Sequence, residues 1–375
     1  MVYLDNSATT PPCEAARQAL LKTLDENWGN PSSRHTLGVD ADNLLEYSRS
    51  VVARKLMANH DEIVFTSGGT EANNLAVFGT AAARRKGRQI PRIVTCATEH
   101  PSVEESAKRL GDIGFEVVFL PVDKYGRVLE SQLARAITPN TVLVSLMLVN
   151  NETGTFQPVK QVKRYIHAAR SNALFHVDAV QAFGKIAVFP GEYDADLLTI
   201  SAHKIHGVKG AGALYVRKGV TISPRVFGGG QEQKIRPGTE NLPAIAAFAA
   251  AVEQLPDYRE VEKITALRNR LVTGLHAIKA VINSPEDALP YIVNFSLLGQ
   301  KSEVLLNFLS AREIYVSSGS ACKKGLPSHV LKAMNLPQKT LDGAIRVSFS
   351  HTNTETDVDT LLVALEEAVT SLYGN

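Results

Sequence analysis

The sequence predicts an α/β fold: a mainly parallel central sheet flanked by helices, together with a smaller α+β domain. Three observations carry that expectation. Short apolar runs alternate with helix-like runs through the first two thirds of the chain, the pattern of a parallel sheet with crossover helices. With 375 residues and 44% apolar content, the chain can bury a large core and exceeds the length that one core usually serves, so two domains are expected. From about Pro243 the run AIAAFAAAVEQL reads as a long helix, and the chain beyond it mixes shorter elements of a different texture.

The first strand signal is Glu62-Ile63-Val64-Phe65-Thr66, which leads through Ser67-Gly68-Gly69-Thr70-Glu71 into the helix-like run ANNLAVFGTAAARR. Backbone N–H groups at such a helix start bind phosphate, although glycines also serve there merely to turn the chain. Neither G-x-x-x-x-G-K-[ST] nor G-x-G-x-x-G is present, which disfavours a nucleoside triphosphatase and a dinucleotide site. Further strands are expected at 92–96, 116–122, 142–149, 174–178, 197–200 and 213–217. Ligands on such sheets collect at the carboxyl ends of the strands, and Asp178 and Lys204 both fall at such ends.

Lys204 ends an apolar run, stands between His203 and the nearby His206, and is crowded by small residues. Burial there would lower its pKa and make the amine nucleophilic, as a Schiff-base lysine requires. A lone lysine at a strand end more often reaches out to water, so its surroundings decide. Twenty-six residues upstream, LFHVD ends on Asp178. Alone that carboxylate fits a helix N-cap. Paired with Lys204 it fits better the group that keeps a pyridine nitrogen protonated, so that the ring acts as an electron sink.

Charge and cysteine usage narrow the class. The formal net charge is +2, and the basic cluster Arg84-Arg85-Lys86-Gly87-Arg88 lacks interleaved aromatics, so it reads as a solvated helix end and direct nucleic-acid binding is not expected. No apolar run approaches a membrane span and the first residues are foldable sequence, which leads to the expectation of a cytoplasmic protein. Cys13, Cys96 and Cys322 are widely spaced and odd in number, which argues against a disulfide framework or a zinc site; no metal is expected. Cys322 alone has an unusual setting, closing SSGSA and preceding Lys323-Lys324-Gly325. Small polar neighbours and two cations favour the thiolate, although an incidental loop cysteine fits the residues equally.

Ten motifs in order give the chain a resemblance to fold-type I pyridoxal-phosphate enzymes of the class V aminotransferase group, most closely the NifS/IscS-like cysteine desulfurases. They are YLDNSATT (3–10), GNPSSRH (29–35), FTSGGTEANN (65–74), TEH (98–100), VNNETG (149–154), HVDAVQ (176–181), SAHKIHG (201–207), RPGTEN (236–241), SSGSAC (317–322) and IRVSFS (345–350). The resemblance spans nearly the whole chain. It implies pyridoxal 5'-phosphate as cofactor and L-cysteine as substrate, with alanine as product and a persulfide on Cys322 that passes to a sulfur-acceptor protein. Lys204 would hold the cofactor and act as base.

Further roles follow from the same resemblance. His100 would stack on the pyridine ring and take part in catalysis by shuttling protons, with capping of the helix after Pro101 as its ordinary alternative. Asp178 would hold the ring nitrogen, Gln181 the ring hydroxyl, and Gly69, Thr70, Ser201 and His203 the phosphate. Asn151 would lie beside cofactor and substrate, and Arg346 would clamp the substrate carboxylate with help from Asn30. Thr239 would reach the phosphate of a second subunit, which implies a homodimer. The resemblance also joins residues 1–14 to residues 256–375 as a small domain carrying the Cys322 loop, with residues 15–255 as the large cofactor-binding domain. Two departures bear on the acceptor: KKGLPSH after Cys322 is shorter than in the housekeeping iron-sulfur branch, and Ser348-Phe349-Ser350-His351 replaces S-L-G-R. Iron-sulfur cluster assembly and thiolation of transfer RNA or a cofactor both remain open as destinations. The rival readings are a selenocysteine lyase or another lyase or aminotransferase of this fold, and a non-enzymatic cofactor-binding scaffold, which the full reactive set disfavours.

Overall fold

The computed structural model describes residues 1–85, 90–318 and 328–372. In chain order the strands among them are β1 (Val2–Tyr3), β2 (Ile63–Thr66), β3 (Arg92–Cys96), β4 (Glu116–Leu120), β5 (Thr141–Met147), β6 (Leu174–Asp178), β7 (Leu197–Ser201), β8 (Gly212–Val216), β9 (Val281–Ile282), β10 (Ile292–Ser296), β11 (Ile314–Tyr315) and β12 (Ala344–Ser348). Strands β2 to β8 form one seven-stranded sheet in the order β2-β8-β7-β6-β5-β3-β4. Neighbours from β7 to β4 run parallel, and β8 is antiparallel to both β7 and β2. The expected mainly parallel sheet is therefore present, with one reversed strand where the chain turns back after Lys204.

Two strands stop two residues earlier than the apolar runs suggest, each for a local reason. β4 ends at Leu120 because Pro121 has no N–H to donate. β5 ends at Met147, and Asn150 then organises a tight loop: its Oδ1 accepts from the N–H groups of Glu152 and Thr153 at 2.9 and 3.0 Å.

Alternation along the strands sorts their side chains onto two faces. Val94, Cys96, Val144, Leu146, Phe175, Val177, Leu198 and Ile200 enter the larger core, which also takes in the apolar helix Leu242–Glu253. Ile93, Leu143, Leu174 and Leu197 face the helices Gly69–Arg84 and Pro101–Asp112 on the other side. That second face changes character along the strands. It begins with leucines and becomes polar toward the carboxyl ends, as Leu174 gives way to His176 and Asp178, and Leu197 to Thr199 and Ser201. His176 is fully buried there and ties three strands together, bonding Ser145 Oγ through Nδ1 at 2.8 Å and Thr199 Oγ1 through Nε2 at 3.0 Å.

The remaining strands make a three-stranded antiparallel sheet, β12-β10-β9, and a parallel pair, β1 with β11. The helices Glu260–Ala277 and Glu355–Leu372 pack on each other beside them. The N-terminal segment joins this part of the chain: Asn6 Nδ2 donates to Ser348 O at 2.9 Å, and Ser7 N to Ser348 Oγ at 2.8 Å. At the opposite edge, buried Arg49 pairs with Glu232 through two 2.8 Å bonds, and Glu232 also accepts from Phe65 N at 2.7 Å. These bonds hold Glu232, Gln233 and Lys234 in the left-handed region, with φ of 44°, 58° and 64°, a conformation that costs about 1–3 kcal/mol per residue unless its surroundings impose it.

Burial lowers the His176 imidazole from its usual 6.5 to about 4. The unfolded chain therefore binds a proton that the native chain refuses, and stability rises with pH between those two values. The loss on acidification through that window should reach ~3 kcal/mol from this residue. Urea unfolding of the cofactor-free protein at about pH 7 and about pH 4.5 measures it. His176→Gln, which can still bridge Ser145 and Thr199, should lose correspondingly less; an equal loss in both proteins would exclude the assignment.

Candidate active site

Lys204 leaves the carboxyl end of β7 in a single turn of 3-10 helix, Ala202–Lys204. Its Nζ donates to the carbonyls of Ser7 and, at 2.8 Å, Ala8. Gln181 Nε2 donates to the same Ser7 carbonyl at 3.0 Å, so the end of β6 and the end of β7 meet over the N-terminal segment. Asp178, the last residue of β6, is buried; its Oδ1 accepts from Val180 N at 3.0 Å and its Oδ2 from Asn73 Nδ2 at 2.7 Å.

His100 caps the helix Pro101–Asp112 and also belongs to this cluster. Ser102 N donates to His100 Nδ1 at 3.2 Å, and Ser102 Oγ lies 2.8 Å from the same nitrogen. Asn73 Nδ2 donates to Ser102 Oγ at 2.8 Å as well as to Asp178. An Nδ1 that accepts from a backbone N–H carries no proton, which leaves the ring proton on Nε2. Burial lowers the His100 pKa against the pull of Asp178, and so favours this neutral form. Burial, reinforced by Lys204, likewise lowers His203 to about 4. His203 Nδ1 lies 3.2 Å from Thr9 Oγ1.

The glycine turn before the helix Gly69–Arg84 lies beside the end of β7. Gly68 has φ of 150°, which favours glycine, and an added Cβ at Gly69 would stand 3.0 Å from Val180 Cγ2 and 3.7 Å from Ser201 Cβ. Gly212 brings these elements together: a Cβ there would lie 2.7 Å from Gly68 Cα and 2.9 Å from Ile200 O. The hydroxyl of Ser201 is buried beside the turn without a hydrogen-bond partner, as are Ser7 Oγ, Asn151 Oδ1 and Arg346 Nε nearby. Leaving such groups unpaired is costly. A phosphate at the helix start suits the Ser201 hydroxyl, and a polar ring beside Asp178 suits a mixed set of donors and acceptors, so the residues fit the expected pyridoxal phosphate.

Arg346 on β12 donates through Nη1 to Asn151 O at 2.9 Å and through Nη2 to Asp5 Oδ1 at 2.6 Å. Asp5 is thus the partner of Arg346, while Asn30 spends its side chain on its own turn, Oδ1 accepting from Ser32 N at 2.9 Å. Thr70 and Thr239 are exposed. The segment of Thr239 is tethered to the helix at the glycine turn by Arg236 Nε, 2.9 Å from Glu71 Oε1. Cys322 lies outside the described residues, whereas Ser317 before it exchanges backbone hydrogen bonds with Arg346. His351, one of the departures noted above, packs edge-on against His206 with ring centroids 4.7 Å apart. An open cavity of about 640 Å³ lined by Arg84, Lys163, His167, Arg170 and Asp196 lies at the amino ends of β6 and β7, the opposite edge of the sheet from Lys204. Reading the sequence alone passed over Asp5, Asn73 and Ser102, although Asp5 and Asn73 stand inside two of the quoted motifs.

Residues 2–361 match the family model described as Aminotransferase class-V. The cysteine desulfurase IscS of Methanosarcina thermophila is 42% identical over 380 residues, covering 99% of this chain and 92% of that protein. Among solved structures, a NifS-like protein superposes with a TM-score of 0.92 at 38% identity, over 98% of this chain and 99% of the other. A structure titled SspA in complex with cysteine gives 0.84 at 31% identity, over 94% and 100%.

Gly212→Ala should force the Gly68 backbone away from β7, because backbone atoms cannot yield as a flexible side chain does. The expected cost is about 1–3 kcal/mol of stability with about tenfold weaker binding of pyridoxal phosphate. Urea unfolding and equilibrium titration of the apoprotein check both; parental cofactor affinity would show that the turn does not hold the phosphate.

Proposed function

Because the chain belongs to the class V aminotransferase family and aligns along its whole length with cysteine desulfurases, we propose that the cluster around Lys204 desulfurates L-cysteine and that Cys322 takes the sulfur. The enzyme is a pyridoxal-phosphate-dependent cysteine desulfurase; the roles of its individual residues are our assignment. The observation that carries the assignment is the convergence of Lys204, Asp178 and the unpartnered Ser201 hydroxyl from the carboxyl ends of β6 and β7.

Pyridoxal phosphate, when bound, supplies an electron sink for charge developing on the substrate's α-carbon. Gly69, Thr70, Ser201 and His203 hold its phosphate, with Thr239 contributed from a second subunit. Asp178, held in place by Asn73, would bind the ring nitrogen. Gln181 and Asn151 would bind beside the ring, and His100 would stack on it and supply its Nε2 proton to the reaction. Arg346, oriented by Asp5, takes the substrate carboxylate as a bidentate partner. Lys204 Nζ removes the α-proton and returns a proton to carbon.

The Cys322 thiolate then attacks the substrate sulfur. The new S–S bond forms as the substrate's Cβ–S bond breaks, its electron pair remains with the carbon fragment, and that fragment takes up a proton and leaves as L-alanine. The enzyme keeps a persulfide for an acceptor protein. Two features support a homodimer: Trp28, Val226 and Phe227 are 67%, 61% and 86% exposed, and Thr239 is exposed near the glycine turn. Among the described residues no helix is long and apolar enough to cross a membrane. We assign the enzyme to the cytoplasm, without direct nucleic-acid contact, and divide the chain into a large domain of residues 15–255 and a small domain of residues 1–14 with 256–375.

Purified enzyme given L-cysteine and dithiothreitol should release sulfide and alanine in equal amounts; pyruvate instead would indicate β-elimination, and a marked preference for L-selenocysteine would favour a lyase. Cys322→Ala should lower sulfide release by about 100-fold or more while the cofactor's visible absorption persists. Lys204→Ala should lose the absorption as well. Sulfide release by Cys322→Ala at the parental rate would overturn the nucleophile assignment.

A further inference from the structure

Lys185 is a buried amine that the mechanism above does not use. It is 6% exposed, and its one described hydrogen bond runs from Nζ to Gln181 Oε1 at 3.1 Å. The chain reaches this position through Gly184, whose φ of 78° suits glycine and whose Cβ, if added, would lie 2.6 Å from Ile205 Cγ2 and 2.8 Å from Leu255 Cδ2. The backbone therefore packs directly beneath Ile205, the residue after Lys204. Burial, with Lys204 and Arg346 as neighbouring cations, lowers the Lys185 pKa to about 7. A methionine would fill such a site without the desolvation cost, so the amine needs a local reason.

The amide of Gln181 supplies that reason. A glutamine carries one acceptor and two donor hydrogens. With Oε1 turned toward Lys185 and one Nε2 hydrogen given to Ser7 O, the amide is held in one of its two flip states, with a second Nε2 hydrogen still to offer. A face that presents this N–H holds an oxygen. We infer that Lys185 is a positioning residue for the cofactor, fixing the Gln181 amide so that it donates to the ring oxygen of pyridoxal phosphate. The bond serves in either protonation state, since an amine and an ammonium both donate. The inference rests on the reading of Gln181 as a cofactor ligand.

The test is a double-mutant cycle read by two quantities other than turnover: the pyridoxal phosphate dissociation constant of the apoprotein, and the visible absorption band of the loaded enzyme. Lys185→Met should weaken cofactor binding on the order of tenfold and shift the band. In a Gln181→Ala background the same change should do nothing further. Lys185→Gln, which keeps a donor for Oε1, should recover most of the affinity and guards against a folding failure of the first variant. Parental affinity and band in Lys185→Met would overturn the inference. So would an equal effect in both backgrounds, which means packing alone, or a Lys185→Gln protein no better than Lys185→Met. If Gln181→Ala itself moves neither quantity, the Gln181 reading fails first and the inference with it.

Discussion

The N-terminal strip of residues 5–10, laid across the carboxyl edge of the large sheet, is the interaction on which the site depends. Its carbonyls at Ser7 and Ala8 receive Lys204, and Ser7 O also receives Gln181. Thr10 bonds the carbonyl of His203 through its N–H at 2.9 Å and its hydroxyl at 3.0 Å. On its other side the strip is fastened to β12 through Asn6 and Ser7, and Asp5 orients Arg346. A single short segment thus brings together groups from β6, β7 and β12, which no sheet hydrogen bond links across that distance. A backbone strip suits the task because its carbonyls are obligatory acceptors, and one of them, Ser7 O, takes donors from beyond the ends of β6 and β7 at once.

The second constraint is the polar gradient on one face of the sheet. Strand periodicity alone puts His176 and Asp178, and Thr199 and Ser201, on the face that begins with leucines. Burial then fixes protonation states. The fully buried His176 stays neutral and serves as a brace, the partly buried His203 stays neutral beside Lys204, and His100 keeps its proton on Nε2 because Ser102 N occupies Nδ1. Glu99 follows the same rule: burial raises its carboxyl well above the usual range, and one oxygen takes the Met147 N–H at 2.8 Å. Around Lys204 the ionisable groups are therefore mostly set before substrate arrives, so binding requires little electrostatic reorganisation.

Much of this was legible in the chain. The apolar runs gave the strands of the large sheet to within two residues, the glycine turn gave the helix start, and Asp178 and Lys204 fell where the strand ends do; the short strands outside that sheet were not read. What stayed hidden has a common physical basis, contact between residues distant in sequence. Asp5 and Arg346 are 341 residues apart, and Asn73 and Asp178 are 105 apart; neither pairing leaves a local periodicity. The reversal of β8 was hidden for another reason, because an apolar run after a glycine turn pairs equally well in either direction until its neighbours are known. Lys185 escaped notice because a lysine at a turn reads as solvated, and only its burial against Ile205 and Leu255 changes that reading.

The arrangement also explains why the scaffold and the nucleophile come from different parts of the chain. Every group assigned to the cofactor within one subunit lies on the strand ends, the glycine turn or the loops beside them, on the framework of the large sheet. A sulfur carrier has the opposite requirement, since one thiol must reach the substrate and later meet an acceptor that docks from outside. Cys322 follows Ser317, whose backbone pairs with Arg346 through Ser317 N to Arg346 O at 3.1 Å and Arg346 N to Ser317 O at 2.6 Å. The residue assigned to the substrate carboxylate is thus also the backbone partner of Ser317, five residues before Cys322. The assigned carboxylate site and the backbone of Ser317 are therefore set by one β12 residue, which fixes them relative to each other.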